Sequence, residues 1–331
     1  MHMKDGDIMT ILKITKVKIF LVGIMMMATI LDGCSSQVQP SKPAQDGDYY
    51  YSVTARETQI TKYKGAGGAV TIPSALAGFP VTSIGDSAFS QCTNLTSISI
   101  PQGVTSISNG AFIGCTNLTS ISIPQGVTSI GDGAFIDCTN LTSINIPQGV
   151  TSIGDGAFGC TGLTSISIPQ GVTSIGIATF YGCKGLTSIS IPQGVTSIGK
   201  EAFFSCTDLT SISIPQGVTS IGDNAFSQCT NLTSISIPQG VTSIGGGAFG
   251  CTGLTSISIP QGVTSIGKEA FWGCGRLTFI KFNSATTTID DISEIPYTTK
   301  IVGYAPSTAK TYAEKYNIKF EVIGTDTVST P

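Results

Sequence analysis

Histidine is all but missing. The 331 residues hold one, His2, ahead of the body of the chain. Without an imidazole no Ser–His–Asp or Cys–His pair can form, and no His-rich metal site. Charge is scarce as well. Lys, Arg, Asp and Glu make up 11% of the chain, against roughly 25% in an average domain. The formal net charge is −3, so nothing points to nucleic acid as a partner. Apolar runs are short, and the one from Ile19 to Leu31 is too brief to span a bilayer as a helix.

Cysteine is plentiful and regularly spaced. Cys92, Cys115, Cys138, Cys160, Cys183, Cys206, Cys229, Cys251 and Cys274 follow one another at steps of 23 residues, except two steps of 22. They mark a repeated phrase. Residues 124–146 read Pro-Gln-Gly-Val-Thr-Ser-Ile-Gly-Asp-Gly-Ala-Phe-Ile-Asp-Cys-Thr-Asn-Leu-Thr-Ser-Ile-Asn-Ile, and the next copy starts at Pro147. A fixed period of this length is the signature of a solenoid or similar array.

The phrase explains its own geometry. In Leu163 to Ile168, isoleucines alternate with serines, the period-2 pattern of a half-buried strand. Ile166 and Ile168 point inward and Leu163 reaches in from the preceding turn. Pro169 ends the strand, because proline has no N–H to donate. Val172 to Ile175 predicts a second, shorter extended segment. A short helical turn is then expected to carry Ala-Phe-x-x-Cys, with Phe135 and Cys138 on one inner side. No rung can bury this face alone, so rung must cover rung, Phe on Phe and Ile on Ile. The two 22-residue units read as having lost a residue between Phe and Cys, giving Phe158-Gly159-Cys160 and Phe249-Gly250-Cys251.

The pattern Leu-x-x-Ile-x-Ile-Pro-x-x-Val-x-x-Ile-x-x-x-Ala-Phe-x-x-Cys resembles the BspA-like leucine-rich repeat of bacterial surface antigens, over about residues 69–282. The resemblance implies a repeat solenoid of 22–23-residue units with a parallel β-sheet on the inner face. It also implies a surface protein that binds host matrix proteins or other cells, without naming a ligand.

Taken in order, residues 1–34 read as an export signal. Lys13, Lys16 and Lys18 precede the apolar run; Asp5 and Asp7 suit a start at Met9 rather than Met1. Leu31-Asp32-Gly33-Cys34 resembles a lipobox, in which Cys34 is lipidated and becomes the N-terminus. The expected product is an exported lipoprotein, membrane-anchored on the surface of a bacterium. Residues 35–47 form a flexible tether. Residues 48–68 predict an N-terminal β-hairpin cap, residues 69–282 the leucine-rich repeat solenoid, residues 283–323 a C-terminal β-α-β cap, and residues 324–331 a tail. In the C-terminal segment Ser307 is the expected helix N-cap, with Ala309, Tyr312, Ala313 and Tyr316 on one apolar face.

No enzyme, cofactor or metal site is expected. The cysteine spacing is a rung period rather than a ligand spacing, and buried cysteine serves as a small apolar filler. The carboxylates of the array, Asp86, Asp132, Asp137, Asp155, Glu201, Asp208, Asp223 and Glu269, read as solvated. Binding must then lie on a surface. The inner serine ladder, including Ser143, Asn145, Ser165, Ser167, Ser188 and Ser190, hardly varies between copies. The residue after each core Phe does vary, and it includes Ile113, Ile136, Tyr181, Phe204 and Trp272. Aromatic side chains dominate binding hot spots, so this edge is the expected contact with a host matrix protein or partner cell surface. Two alternatives remain: a structural, self-associating surface component, or polysaccharide and ordered-water binding by the Ser/Thr ladder.

Overall fold

The computed structural model describes residues 44–290, 295 and 298–324. The export segment with Cys34, residues 35–43 of the tether and residues 325–331 of the tail lie outside them. The described chain winds into a parallel-sheet solenoid of about 11 turns with very little helix.

Each rung contributes two strand segments. The Val-Thr-Ser-Ile segments form one parallel ladder: Phe79–Ile84, Ser106–Ile107, Ser129–Ile130 and Ser152–Ile153. It resumes at Ser174–Ile175 and runs through Ser197–Ile198, Ser220–Ile221, Ser243–Ile244 and Ser265–Ile266 to Thr288–Ile289. Serine faces serine and isoleucine faces isoleucine throughout, apart from Thr288 at the end. A slip of one residue would turn every isoleucine to water, so burial fixes the register. The Leu-x-x-Ile-x-Ile segments form a second column: Gly68–Thr71, Leu95–Ser99 and Ser120–Ser122, then Ser165–Ser167 with Ser188–Ser190. After a bridge between Ser213 and Ser236 it continues as Ser256–Ile259, Phe279–Phe282, Lys300–Tyr304 and Lys319–Gly324.

An antiparallel hairpin, Tyr49–Thr54 with Glu57–Tyr63, precedes the first rung. Its turn residues Ala55 and Arg56 both have left-handed φ, 52° and 66°, the handedness that suits the twist of a two-residue hairpin. At the other end, the α-helix Thr308–Lys315 lies between the last two strands. Ser307 Oγ accepts the Lys310 N–H at 3.0 Å, and Ala309, Tyr312 and Ala313 are buried.

The core is a set of stacked columns. Phe89, Phe112, Phe135, Phe158, Phe180, Phe203, Phe226, Phe249 and Phe271 are fully buried. Each ring lies 5.1–5.8 Å from the next, nearly parallel along most of the column. Tyr63 of the hairpin adds a ring at 5.1 Å from Phe89. Every such aromatic pair adds about 0.5–1.5 kcal/mol to the effect of burial. The cysteines do more than fill space. Cys115, Cys138, Cys206 and Cys229 each donate Sγ–H to the carbonyl of the Phe one rung back, at 3.0–3.2 Å. Burial pushes the Cys115 and Cys229 thiols up to about 12, so they stay neutral donors and poor nucleophiles.

Two expectations need correction. The Ala-Phe-x-x-Cys segment is not a helical turn. It is a run of tight turns, such as Ser90 N–H to Ser87 O at 3.0 Å and Cys92 N–H to Phe89 O at 3.2 Å. The N–H groups of Ser87, Phe89 and Gln91 donate to Asn109, Ala111 and Ile113 of the next rung, at 2.7–2.9 Å. Left-handed φ at Ser87 (55°) and Gln91 (60°) breaks any helix and aims these groups outward. A third inter-rung hydrogen-bonded column results.

The second correction concerns the short units. The missing residue is not between Phe and Cys. Thr161 and Thr252 occupy the inward place of cysteine and are buried. Cys160 and Cys251 move one position toward the surface, with left-handed φ of 54°. The loss falls in the following turn, where Thr161-Gly162-Leu163 replaces Cys138-Thr139-Asn140-Leu141. A Cβ on Gly162 would lie 2.2 Å from the Thr139 carbonyl oxygen, so only glycine fits the tightened path.

Candidate binding edge

The residue after each core Phe stands on an edge of the turn column, and the structure grades these positions. Ile113 is buried and Ile136 half-buried. Ser227 is buried, and so are the glycines at 159 and 250. Tyr181 and Phe204 are half-buried and stack face to face, with centroids 5.2 Å apart and planes within 5°. Trp272 is 36% exposed. Of the five predicted contact residues, the edge therefore presents a Tyr181–Phe204 plate and a separate Trp272, while Ile113 is withdrawn into the wall.

Beside this plate lies a group that the sequence reading left in solvent. Glu201 is 4% exposed. Its carboxylate has Lys200 Nζ at 3.6 Å. Burial, then the Cys160 thiol and then Glu201 itself raise the pKa of Tyr181. The signal for Glu201 was present in the sequence. It takes a turn position filled elsewhere mostly by Gly, Ser or Ala, one residue ahead of the inward Ala-Phe pair, where neighbouring rungs can close over it.

Other array carboxylates serve the fold. Asp86 Oδ1 accepts the Asn109 N–H at 3.1 Å, and Asn109 Oδ1 accepts the Asp132 N–H at 2.7 Å. Asp132 and Asp155 continue the series, accepting from Asp155 N–H at 2.9 Å and Ile177 N–H at 2.7 Å. Asp223 does the same for Gly246 at 2.7 Å. Each holds one rung on the next, and the pairs are not clefted acid–base couples.

The serine face is where the sequence placed it. Ser143, Asn145, Ser165, Ser167, Ser188 and Ser190 are all exposed. Ser165 faces Ser188 and Ser167 faces Ser190 in register, whereas Ser143 and Asn145 lie in a rung without strand pairing on this column. Threonines behave differently. Thr119, Thr187 and Thr278 turn their hydroxyls onto the threonine carbonyl one rung back, at 2.8–3.0 Å. The flat array open to a ligand is therefore serine, with Asn145 among it, rather than threonine.

The family model of the BspA type leucine rich repeat region, in six copies, matches residues 70–187 and 173–293. The chain belongs to the BspA-type leucine-rich repeat family. Solved leucine-rich repeat structures agree with the fold. A leucine-rich repeat protein from Bacteroides ovatus is 28% identical, with a TM-score of 0.75 over 86% of this chain and 79% of that one. A leucine rich cell surface protein from Faecalibacterium prausnitzii is 28% identical, with a TM-score of 0.50 over 87% of this chain and 96% of that one. No curated protein matches the chain. BspA-type repeats build scaffolds for binding or structure, and function must be argued from the surface each displays.

Proposed function

We propose that this chain is a bacterial cell-surface binding protein, adhesin-like in action. It recognises a host extracellular matrix protein or the surface of another cell, and the edge of Tyr181, Phe204 and Trp272 makes the contact. One observation carries this reading: on an array of near-identical rungs, three large half-exposed aromatics, Tyr181, Phe204 and Trp272, share one column, while the serine face changes little before Phe279 and Lys281 replace its serines near the end of the array. Half-exposed aromatics supply much contact area at small entropic cost. The cell surface protein from Faecalibacterium prausnitzii supports the location. Export and a lipid on Cys34 complete the proposal, since stable anchoring needs more than one acyl chain and a lipobox cysteine receives several.

The test is capture of the soluble Cys34→Ala protein on a panel of matrix proteins and glycans. A Tyr181→Ala, Phe204→Ala, Trp272→Ala variant is run beside a Ser165→Lys, Ser188→Lys variant. Loss of capture in the aromatic variant supports the edge. Unchanged capture there, with loss in the lysine variant, moves the site to the serine face.

A further inference from the structure

The strand Lys319–Gly324 ends the Leu-x-x-Ile-x-Ile column, and among the described residues no strand pairs with its outer edge. The inward rows of the column lose their cover there. In one row Ile257, Ile280 and Ile301 are buried, and Phe320 is only half-buried. In the other, Ile259 and Phe282 are buried, and Val322, beside Gly303, is 52% exposed.

The neighbouring strand fixes which backbone groups meet this edge. Lys300 N–H donates to Thr278 O at 2.8 Å, so Lys300 and Val302 turn their polar groups toward Phe279–Phe282. Alternation turns those of Ile301 and Gly303 toward Lys319–Gly324. In a parallel pair, the residue opposite such a group uses neither its own N–H nor its C=O across the pair. Phe320 stands opposite Ile301, and Val322 opposite Gly303. The N–H and C=O of Phe320 and Val322 therefore point to the open edge. Ile318 adds its carbonyl, while its N–H is held by Ala313 O at 2.8 Å.

For a second copy laid antiparallel across a twofold axis, edge-facing residues must meet edge-facing residues, so the axis passes through one residue. An axis at Lys319 sets lysine on lysine, and one at Glu321 sets glutamate on glutamate. Within the strand only an axis at Phe320 sets opposite charges together, Lys319 against Glu321 twice, with Phe320 on Phe320 and Ile318 on Val322. Lys300 Nζ holds Glu321 Oε2 at 2.6 Å, which fixes that carboxylate beside the edge.

We propose that Lys319–Gly324 pairs with the same strand of a second copy, antiparallel and centred on Phe320. Phe320 N–H and C=O exchange across the axis, and Val322 N–H donates to Ile318 O on either side. Phe320, Ile318 and Val322 then cover their counterparts, and the sheet runs on from one copy into the other. Lysine ordinarily guards an open edge; the Lys-x-Glu order makes this guard its own complement. The interface is isologous, as a closed dimer requires. It is small beside the roughly 20–30 residues a side of a standard interface, so the dimer is weak. It does not depend on the adhesive reading above.

Sedimentation equilibrium of the full chain, as the soluble Cys34→Ala protein in reducing buffer, is expected to show monomer and dimer exchanging, with the dimer weakened by salt. Lys319→Glu sets glutamate against glutamate at both places, and Glu321→Lys sets lysine against lysine. Each alone should weaken dimerisation about tenfold or more. Mixed together, the two variants restore both opposite-charge pairs and should associate with each other. Val322→Pro removes an edge N–H that the neighbouring strand does not use, and should give a monomer with unchanged circular dichroism. The proposal is overturned by a monomer at every concentration, by dimerisation that survives Val322→Pro, or by failure of the two folded charge variants to associate when mixed.

Discussion

Thr161 Oγ1 lies 3.2 Å from Cys183 Sγ and donates to the Phe158 carbonyl at 2.8 Å. Threonine takes the place of a core cysteine, but its hydroxyl bonds the Phe carbonyl of its own rung rather than that of the rung before. Thr161→Val keeps the shape and removes the donor, so it should cost about 1 kcal/mol in a denaturant titration. Cys160→Ser, on the surface side of the same turn, should change stability by less than about 0.5 kcal/mol. The opposite order would put Cys160 back in the core.

Thiol labelling should follow the same division. Alkylation of the native protein is expected at Cys92, Cys160 and Cys251, with Cys115, Cys138, Cys183, Cys206, Cys229 and Cys274 spared. Burial first, and Asp137 second, push Cys160 up to about 11. Its thiolate fraction therefore rises about tenfold per pH unit below that value, and labelling at pH 9 should outpace pH 8 by that factor. Peptide masses after timed quenching give the answer, and uniform labelling of all nine sites under native conditions would refute the assignment.

The tightened turns should tolerate no side chain. Gly162→Ala and Gly253→Ala place a Cβ 2.2 Å and 2.4 Å from the Thr139 and Thr230 carbonyl oxygens. Each should cost about 2 kcal/mol or more. Gly275→Ala meets nothing within 4 Å and serves as the neutral comparison. Thermal melts of the three variants decide it.

Rung contacts run only to neighbours, so removal of residues 215–237 should leave a folded, shorter solenoid. Truncation before Ser307 removes the helix and the strand Lys319–Gly324 and bares the edge of Lys300–Tyr304, which should aggregate. Sedimentation and circular dichroism of both deletions check this; an unfolded interior deletion beside a soluble truncation is the contrary result.

Mature protein should begin at an acylated Cys34, and Cys34→Ala should release it from the membrane fraction. Mass spectrometry finding an unmodified N-terminus elsewhere counts against the anchor.

Much of this fold was legible because one pattern is written many times. Period-2 isoleucines placed both strand columns, and Phe135 and Cys138 are indeed buried together. Residue identity misled where chemistry was interchangeable. Cys160 was aligned with the other cysteines, yet the core position asks only for a small donor, which Thr161 supplies. The turn column was hidden for another reason. Its left-handed residues are often not glycine, as at Ser87, Gln91 and Asp137, so composition carried no mark of them. Residues 48–68 read only as a hairpin cap, and packing alone shows that Tyr63 within them extends the phenylalanine stack. Glu201 was misjudged because its burial is a property of stacked rungs together and not of its own repeat.

The hydrogen-bonded thiols bear on how such a chain matures. On the export proposed above, they would first meet an oxidising compartment unfolded, when every one is open to disulfide exchange and mispairing. Only completed rungs hide them, against a Phe carbonyl 26 residues back in the case of Cys138 or Cys229. Such short sequence separations favour fast closure. Folding thus competes with oxidation locally, rung by rung, and a slow step anywhere in the array leaves only the thiols beyond it at risk.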